Sequence, residues 1–358
     1  MTEKVLVTGG FGLVGSQTVR RLVDDGHRVV VTDLGTPAQR KAAASLPANA
    51  EAHWADLTDQ REVDLLVAEV SPTVIVHLAA VILPPAYRHP QLARRVNVEA
   101  TAALLRAAEA SAHPLRFVLA SSNAVYGSRN PHRHPDRLRA DSPLRPADLY
   151  GAHKVVAENL LRASSLEWVI LRLGGVISVE PGVMPFTGDA LFFESALPTD
   201  GRIHTVDVRD VAAAFAAATT ADVAGETLLI AGDDSHLLRQ KEVGLALAAA
   251  RGLSDVLPAG RPGDPDSEEN WFVTDWLDTT RAQQALSFQH HSWPDMLAEM
   301  RAIVGWRRYP MFFVGPVARQ FLKRQAAYRD APGRYADPWG AIRSRLGEPR
   351  PDSSDHAD

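Results

Sequence analysis

The feature that most restricts this chain lies at its start. A short β-branched run, Lys4 to Thr8, breaks into Gly9-Gly10-Phe11-Gly12-Leu13-Val14-Gly15, after which Val14, Thr18 and Leu22 recur at helical spacing up to Gly26. Strand, glycine turn and helix in direct succession is the context in which a glycine pattern carries meaning. Gly9 permits the tight turn, Gly12 admits a pyrophosphate close to the backbone, and Gly15 lets the helix lie against the sheet. The phosphates would sit on the helix N-terminus, at Leu13 and Val14, where unpaired N–H groups and the dipole favour anions.

The next strand, Arg28 to Thr32, ends at Asp33 and Leu34. That is roughly 20 residues past the glycines, where an acidic residue holds a ribose 2′-hydroxyl. A carboxylate there repels a 2′-phosphate, so NAD is favoured over NADP. Strand and helix then alternate. Ala50 to Ala55 leads into Asp56-Leu57-Thr58-Asp59, and Val63, Leu66 and Val70 mark a helix. Thr73 to Leu78 is a buried strand ending in Ala79-Ala80, small residues against which a cofactor can lie. Pro90 to Ala110 reads as one long helix carrying Asn97. Arg116 to Ala120 delivers Ser121-Ser122-Asn123, while Glu167 to Arg172 and Glu226 to Ile230 supply further strands. Repeated βα units make a Rossmann-type, doubly wound parallel sheet with its ligand at the carboxyl ends of the strands. The expected division is a dinucleotide-binding domain over 1–175 with 204–232 returning to it. A smaller substrate lobe over 176–203 and 233–304, a helical extension over 305–346 and a disordered tail over 347–358 complete it.

At that sheet edge the chain places Tyr150-Gly151-Ala152-His153-Lys154, on a helix expected to start near Ala147. Tyr150 and Lys154, four apart, share one helix face. A phenol with a pKa of about 10 is a poor base at neutrality, and bringing it to about 7 requires roughly 4 kcal/mol. One ammonium about 4 Å away supplies something like that at an effective dielectric of about 20. The spacing therefore predicts that Lys154 makes Tyr150 a working acid/base. Lysine is scarce here: Lys4, Lys41, Lys154, Lys241 and Lys323 are the whole set in an arginine-rich chain. Arginine in its place would never deprotonate or act as a compact donor.

Composition narrows the rest. With 46% hydrophobic and 23% charged residues, the 358-residue chain reads as an ordinary globular protein. A net charge of -5 gives no electrostatic reason to expect nucleic acid. Cysteine is absent, which removes disulfides, thiolate zinc sites and cysteine nucleophiles. His132, His134, His290 and His291 have no partners at ligand spacing, so no metal is expected. No secretory leader or run of the roughly 20 apolar residues needed to span a bilayer is visible, and the expectation is a cytoplasmic protein.

Taken together, Thr8 to Gly15, Asp33, Asp56-Leu57, His77 to Ala80, Asn97-Val98, Ser121 to Gly127 and Tyr150 to Lys154 resemble the extended short-chain dehydrogenase/reductase family, also called the NAD-dependent epimerase/dehydratase family. The resemblance covers about the first half of the chain. It implies Tyr150 as the acid/base, with Lys154 lowering its pKa and holding the nicotinamide ribose. It also implies Ser122 on the reacting oxygen, Asp33 on the adenosine ribose, Asp56 and Leu57 beside the adenine, and Asn97 near a proton relay. Leu78, Ala79, Ala80, Ala120 and Ser121 would line the NAD, and Val81, Ser122, Asn123, Gly174, Phe186 and Phe192 the substrate. A homodimer is implied, through the helices that carry Asn97 and Lys154.

Departures from the family pattern point to the reaction. Ser122-Asn123-Ala124 stands where dehydratases carry Thr-Asp-Glu, so dehydration is set aside. Leu171-Arg172 is followed by Leu173-Gly174-Gly175, without the asparagine by which sugar-nucleotide epimerases hold a pyrophosphate. An oxidoreductase acting on a secondary alcohol or ketone is therefore preferred, ahead of a sugar-nucleotide epimerase and of a non-catalytic dinucleotide sensor. The apolar stretch Val176 to Thr205 reads as loops that either cover a pocket or form a plain subcore. After Gly305 the chain outruns the family pattern. Tyr309 to Ala318, followed by Phe321, Leu322 and Tyr328 among basic residues, suits a helix packed on its own domain or on a partner subunit better than one on a membrane surface.

Overall fold

A computed structural model describes residues 3–180, 187–253, 260–307, 320, 324–329 and 331–351. Seven parallel strands form the main sheet in the order β3-β2-β1-β4-β5-β6-β9. They are β1 (Lys4–Thr8), β2 (Arg28–Asp33), β3 (Ala50–Trp54), β4 (Val74–His77), β5 (Arg116–Ser122), β6 (Glu167–Leu173) and β9 (Glu226–Ile230). Their side chains alternate between two cores, as the period of two requires. Val5, Val7, Val74, Val76, Val118 and Val169 face α1 (Leu13–Asp24) and α9 (Val208–Ala218). Leu6, Ile75, Phe117, Leu119 and Ile170 face α3 (Gln60–Val70), α6 (Ala100–Glu109) and α7 (Leu149–Ala163). Burial on both faces explains why these strands read as unbroken apolar runs. The strand order reverses between β1 and β4, which opens a crevice at their carboxyl ends.

Several boundaries differ from expectation for local reasons. The long helix expected over Pro90 to Ala110 is broken: a helical turn over Pro90–Arg94 passes into a π-helical stretch, Arg95–Glu99, before α6. Asn97 lies in that stretch, and π-bulges of this kind recur at functional sites. The helix that carries Tyr150 and Lys154 starts at Leu149 rather than near Ala147, because the Asp148 side chain caps it by accepting from the Gly151 amide. Val176 to Thr205 is more than loops. It contributes β7 (Gly175–Ile177), α8 (Gly188–Ala196) and most of β8 (Arg202–Asp207). With β10 (Leu237–Arg239) these two strands make a separate three-stranded sheet in the order β10-β8-β7.

Residues 347–351, expected within a disordered tail, are packed against the domain; the Pro349 carbonyl accepts the Leu149 amide at 2.8 Å. Phe186 and the apolar segment Tyr309 to Ala318 lie outside the described residues. Among the described residues no helix is long and apolar enough to cross a membrane.

Candidate active site

The glycine turn closes on itself as its composition demands. Gly9, at φ +66, lies so close to β4 that a Cβ would stand 2.8 Å from the Ala79 backbone, and one on Gly15 would fall 2.2 Å from the Gly9 carbonyl oxygen. Gly12 begins α1 with no side-chain cap, so the first helical amides have no protein acceptor of that kind. This is a cradle for an anion backed by a helix of twelve residues. It fits a dinucleotide pyrophosphate by the chemistry of its donors. Leu78 and Ala79 are pinned beside it, the Leu78 amide on the Thr8 carbonyl and the Ala79 amide on the Thr8 hydroxyl, each at 3.2 Å. Ala80 and Val81 continue, partly exposed, along the crevice.

At the next strand end the Asp33 carboxyl accepts the Leu34 amide at 3.0 Å, and burial holds its pKa above the ordinary carboxylate range. Leu34 is exposed. Trp54 stacks on Phe11 with ring centroids 5.5 Å apart, and the Arg40 guanidinium lies 5.0 Å over the Trp54 ring. Sequence reasoning missed this aromatic shelf beside Asp33. The Asp56 carboxyl is engaged with the Thr58 amide and hydroxyl at 2.9 and 2.8 Å, and Leu57 is buried among α3 and α6. Replacing Asp33 by alanine should weaken NAD more than NADP, because only NAD presents the 2′-hydroxyl that a carboxylate accepts. Parallel fluorescence titrations with both dinucleotides read this directly, and an equal loss for both would remove the assignment.

Tyr150 and Lys154 share the face of α7 turned to the end of β5. Lys154 is buried and donates from Nζ to the Ala120 carbonyl at 2.8 Å, with its ammonium 5.7 Å from the Tyr150 ring centroid. Burial lowers the Lys154 pKa to about 8, partly opposed by the charge of Glu158 one turn on. Tyr150 departs from the expected electrostatics. Burial raises its pKa well above the ordinary 10, the Asp148 carboxylate raises it further, and a hydrogen bond with Ser122 pulls it back. Desolvation is the largest cause of that rise, while the Lys154 ammonium is itself engaged with the Ala120 carbonyl.

Ser122 also caps the short 3-10 turn Asn123–Tyr126, accepting the Ala124 amide at 3.2 Å. Its hydroxyl lies 3.4 Å from Asn123 Oδ1. Asn123 is buried, and its Nδ2 has no partner among the described residues. A buried donor without an acceptor costs about 1–3 kcal/mol, so a ligand oxygen that accepts from it would recover that cost.

Other expected site residues support the frame. Asn97 uses both ends of its amide on Val81, accepting its N–H at 2.8 Å and donating to its carbonyl at 3.0 Å, so it fixes the crevice wall. Ser121 donates to Glu158 at 2.5 Å and turns its hydroxyl away from the crevice. Gly174 sits where a Cβ would meet the His204 carbonyl oxygen at 2.4 Å, so no side chain fits there. Phe192 is buried in an apolar cluster whose partly buried margin includes Val81 and Tyr150.

Beneath Lys154 lies a network that motif reading missed. Glu158 is fully buried and receives Arg172 at 2.9 and 2.7 Å as well as Ser121. Arg172 also donates to the Tyr126 hydroxyl at 2.7 Å and the Ala140 carbonyl at 2.9 Å. The available signs were an acid four residues after Lys154 and an arginine inside an apolar strand. On the other side His77, held neutral by burial with its pKa near 3, bridges Thr8 and Thr101 at 2.7 and 3.0 Å.

Comparison with known proteins agrees with this geometry. The chain is 34% identical over 184 residues to UDP-glucose 4-epimerase 4 of Oryza sativa subsp. japonica, covering 48% of each protein. It is 33% identical over 189 residues to D-erythronate dehydrogenase of Cupriavidus necator, covering 50% of this chain and 56% of that protein. These alignments span about half the length of the relatives. Among solved structures, the Thermus thermophilus UDP-glucose 4-epimerase complex with NAD superposes with a TM-score of 0.68 at 25% identity, covering 84% of this chain and 98% of that one. The Bordetella bronchiseptica enzyme WbmG in complex with NAD, at 20% identity and a TM-score of 0.67, shares the fold. The description of the NAD dependent epimerase/dehydratase family matches residues 5–192, more than half of the chain, and to that family the protein belongs.

Proposed function

We propose that the protein is an NAD-dependent oxidoreductase that interconverts a secondary alcohol and a ketone, with Tyr150 as its acid/base. The observation that carries this reading is the grouping of three polar groups at the end of β5. The Ser122 hydroxyl favours the ionised form of the Tyr150 phenol, and the Asn123 amide nitrogen, without a partner among the described residues, stands next in the chain. Gly9, Gly12, Gly15 and the first amides of α1 would hold the pyrophosphate of NAD, Asp33 its adenosine ribose and Lys154 its nicotinamide ribose. NAD, when bound, supplies the hydride acceptor. Tyr150 takes the hydroxyl proton in oxidation and returns it in reduction, while Ser122 and Asn123 steady the oxygen as charge develops.

The UDP-glucose 4-epimerase relatives favour a second reading, an epimerase acting on a nucleotide sugar. Gly174 speaks against it, since the position following Leu171-Arg172-Leu173 admits no side chain to hold a nucleotide pyrophosphate. A screen for NADH formation over secondary alcohols, sugar acids and sugar nucleotides separates the two. An oxidoreductase accumulates NADH with its alcohol, whereas an epimerase yields product without net NADH. Absence of both activities from the whole panel would overturn the assignment. We further assign a homodimer through the helices that carry Asn97 and Lys154, which sedimentation velocity tests.

A further inference from the structure

Strand β8 is buried along its whole length, and it opens on an arginine. Arg202 is 6% exposed, so its guanidinium has to find its partners inside the protein. Three are carbonyls of the preceding 131–135 loop: His134 at 2.8 Å, Pro131 at 3.1 Å and Pro135 at 3.5 Å. The guanidinium also lies 4.6 Å over the Trp276 ring. Its carboxylate partner, Asp275, stands 3.5 Å away and is already engaged. The Asp275 oxygen that faces Arg202 accepts the Trp276 amide at 2.7 Å, and the other accepts Arg129 at 2.6 Å. Arg129 has a second acid, Asp136, at 2.9 Å, but that side chain is 72% exposed. One buried carboxylate is therefore shared by two guanidiniums that are both largely buried.

The imbalance opens onto a space. Arg202 and Arg129 line a cavity of about 10 Å³, room for about one water-sized sphere. Among the described residues no acidic side chain lines it, and Leu197, Trp271 and Phe272 make much of its wall apolar. The indole nitrogen of Trp271 is committed to the Asp264 and Ser267 carbonyls, and the side-chain nitrogen of Gln240, also in the wall, to Glu194. Arg202 Nε is buried and has no partner among the described residues.

A buried N–H without an acceptor is costly, and a charged acceptor makes the strongest bond with it. A water in the cavity would satisfy the N–H and leave the excess positive charge where it is. An anion answers both. We propose that this cavity binds one monatomic anion of chloride's size, held by Arg202 Nε and by the charge of Arg129. Phosphate, sulfate or a carboxylate is too large for the space. Seated there, the ion joins the start of β8 to the loop that carries Arg129 and to the 271–274 segment. The inference is independent of Tyr150 and of the proposed reaction.

Crystals of the full-length protein soaked in sodium bromide should show an anomalous peak in this cavity, in contact with Arg202 Nε. A cavity that holds water and no bromide overturns the proposal. Thermal unfolding gives the matching solution test, with chloride replacing gluconate at fixed ionic strength, since gluconate is too large to enter. The wild-type midpoint should rise by about two degrees by about 0.2 M chloride and then level off, as linkage to one site requires. Thr274→Leu fills the cavity from its wall and leaves both arginines in place, so its midpoint should not respond. Arg202→Met, which lacks the orphan N–H, should be equally flat. A wild type indifferent to chloride, or a response that Thr274→Leu retains, overturns the site. Should either variant fail to fold, the bromide map and the wild-type titration still decide between ion and water.

Discussion

Replacing Tyr150 by phenylalanine is expected to lower kcat by about 10²- to 10⁴-fold, the range typical of a lost general acid/base, while NAD binding survives. The separation follows from where the groups sit. The cradle for the dinucleotide is built from the backbone of Gly9, Gly12 and Gly15, and the Tyr150 hydroxyl has no part in it. Phenylalanine keeps the ring packed against the same apolar cluster and removes only the hydroxyl. Turnover on the best substrate of the screen, set beside a calorimetric titration with NAD, checks the result. A variant within tenfold of wild type, or one that no longer binds NAD, would contradict Tyr150 as the acid/base.

Replacing Glu158 by alanine should be the most damaging single change to stability, by roughly 3–5 kcal/mol, the cost of leaving one member of a buried ion pair uncompensated. Arg172, 2% exposed, would lose both carboxylate bonds, and Ser121 its acceptor. The loss should also reach the site. The charge of Glu158 raises the pKa of Lys154 against burial, so without it the lysine falls further below about 8 and carries less charge at neutral pH. Denaturant unfolding monitored by circular dichroism gives the first effect. Replacing both residues together, with leucine at 172, should recover part of the stability, because the buried Glu158–Arg172 pair is then removed rather than broken, while Arg162, 31% exposed, still loses its carboxylate partner. Unfolding midpoints within the error of wild type for Glu158→Ala would show that water or a neighbour replaces the carboxylate.

Much of the frame was legible in the residues because its causes are local. The β-branched runs at Lys4 to Thr8 and Thr73 to Leu78 are strands buried on both faces, and the glycine turn between β1 and α1 closes as its spacing requires. Ser122, Tyr150 and Lys154 meet at one sheet edge because a parallel sheet places every βα turn on the same side. Less legible was what each side chain does on arrival. Ser121 and Ser122 are adjacent and identical in type, yet the first is committed to Glu158 and the second faces Tyr150, since strand neighbours point to opposite faces. Asn97, expected near a proton relay, instead holds Val81 by both ends of its amide.

By itself the order of residues determined the parallel sheet, the anion cradle and the pairing of a phenol with an ammonium on one helix face, because hydrophobic period, glycine placement and four-residue spacing act over short distances. Only the tertiary structure decided the electrostatics of that phenol. Its proton affinity depends on its burial, on the buried Asp148 carboxylate and on Ser122. It also decided that residues 347–351 belong to the packed domain. Desolvation and long-range contacts depend on which distant segments come together, and no spacing along the chain records that.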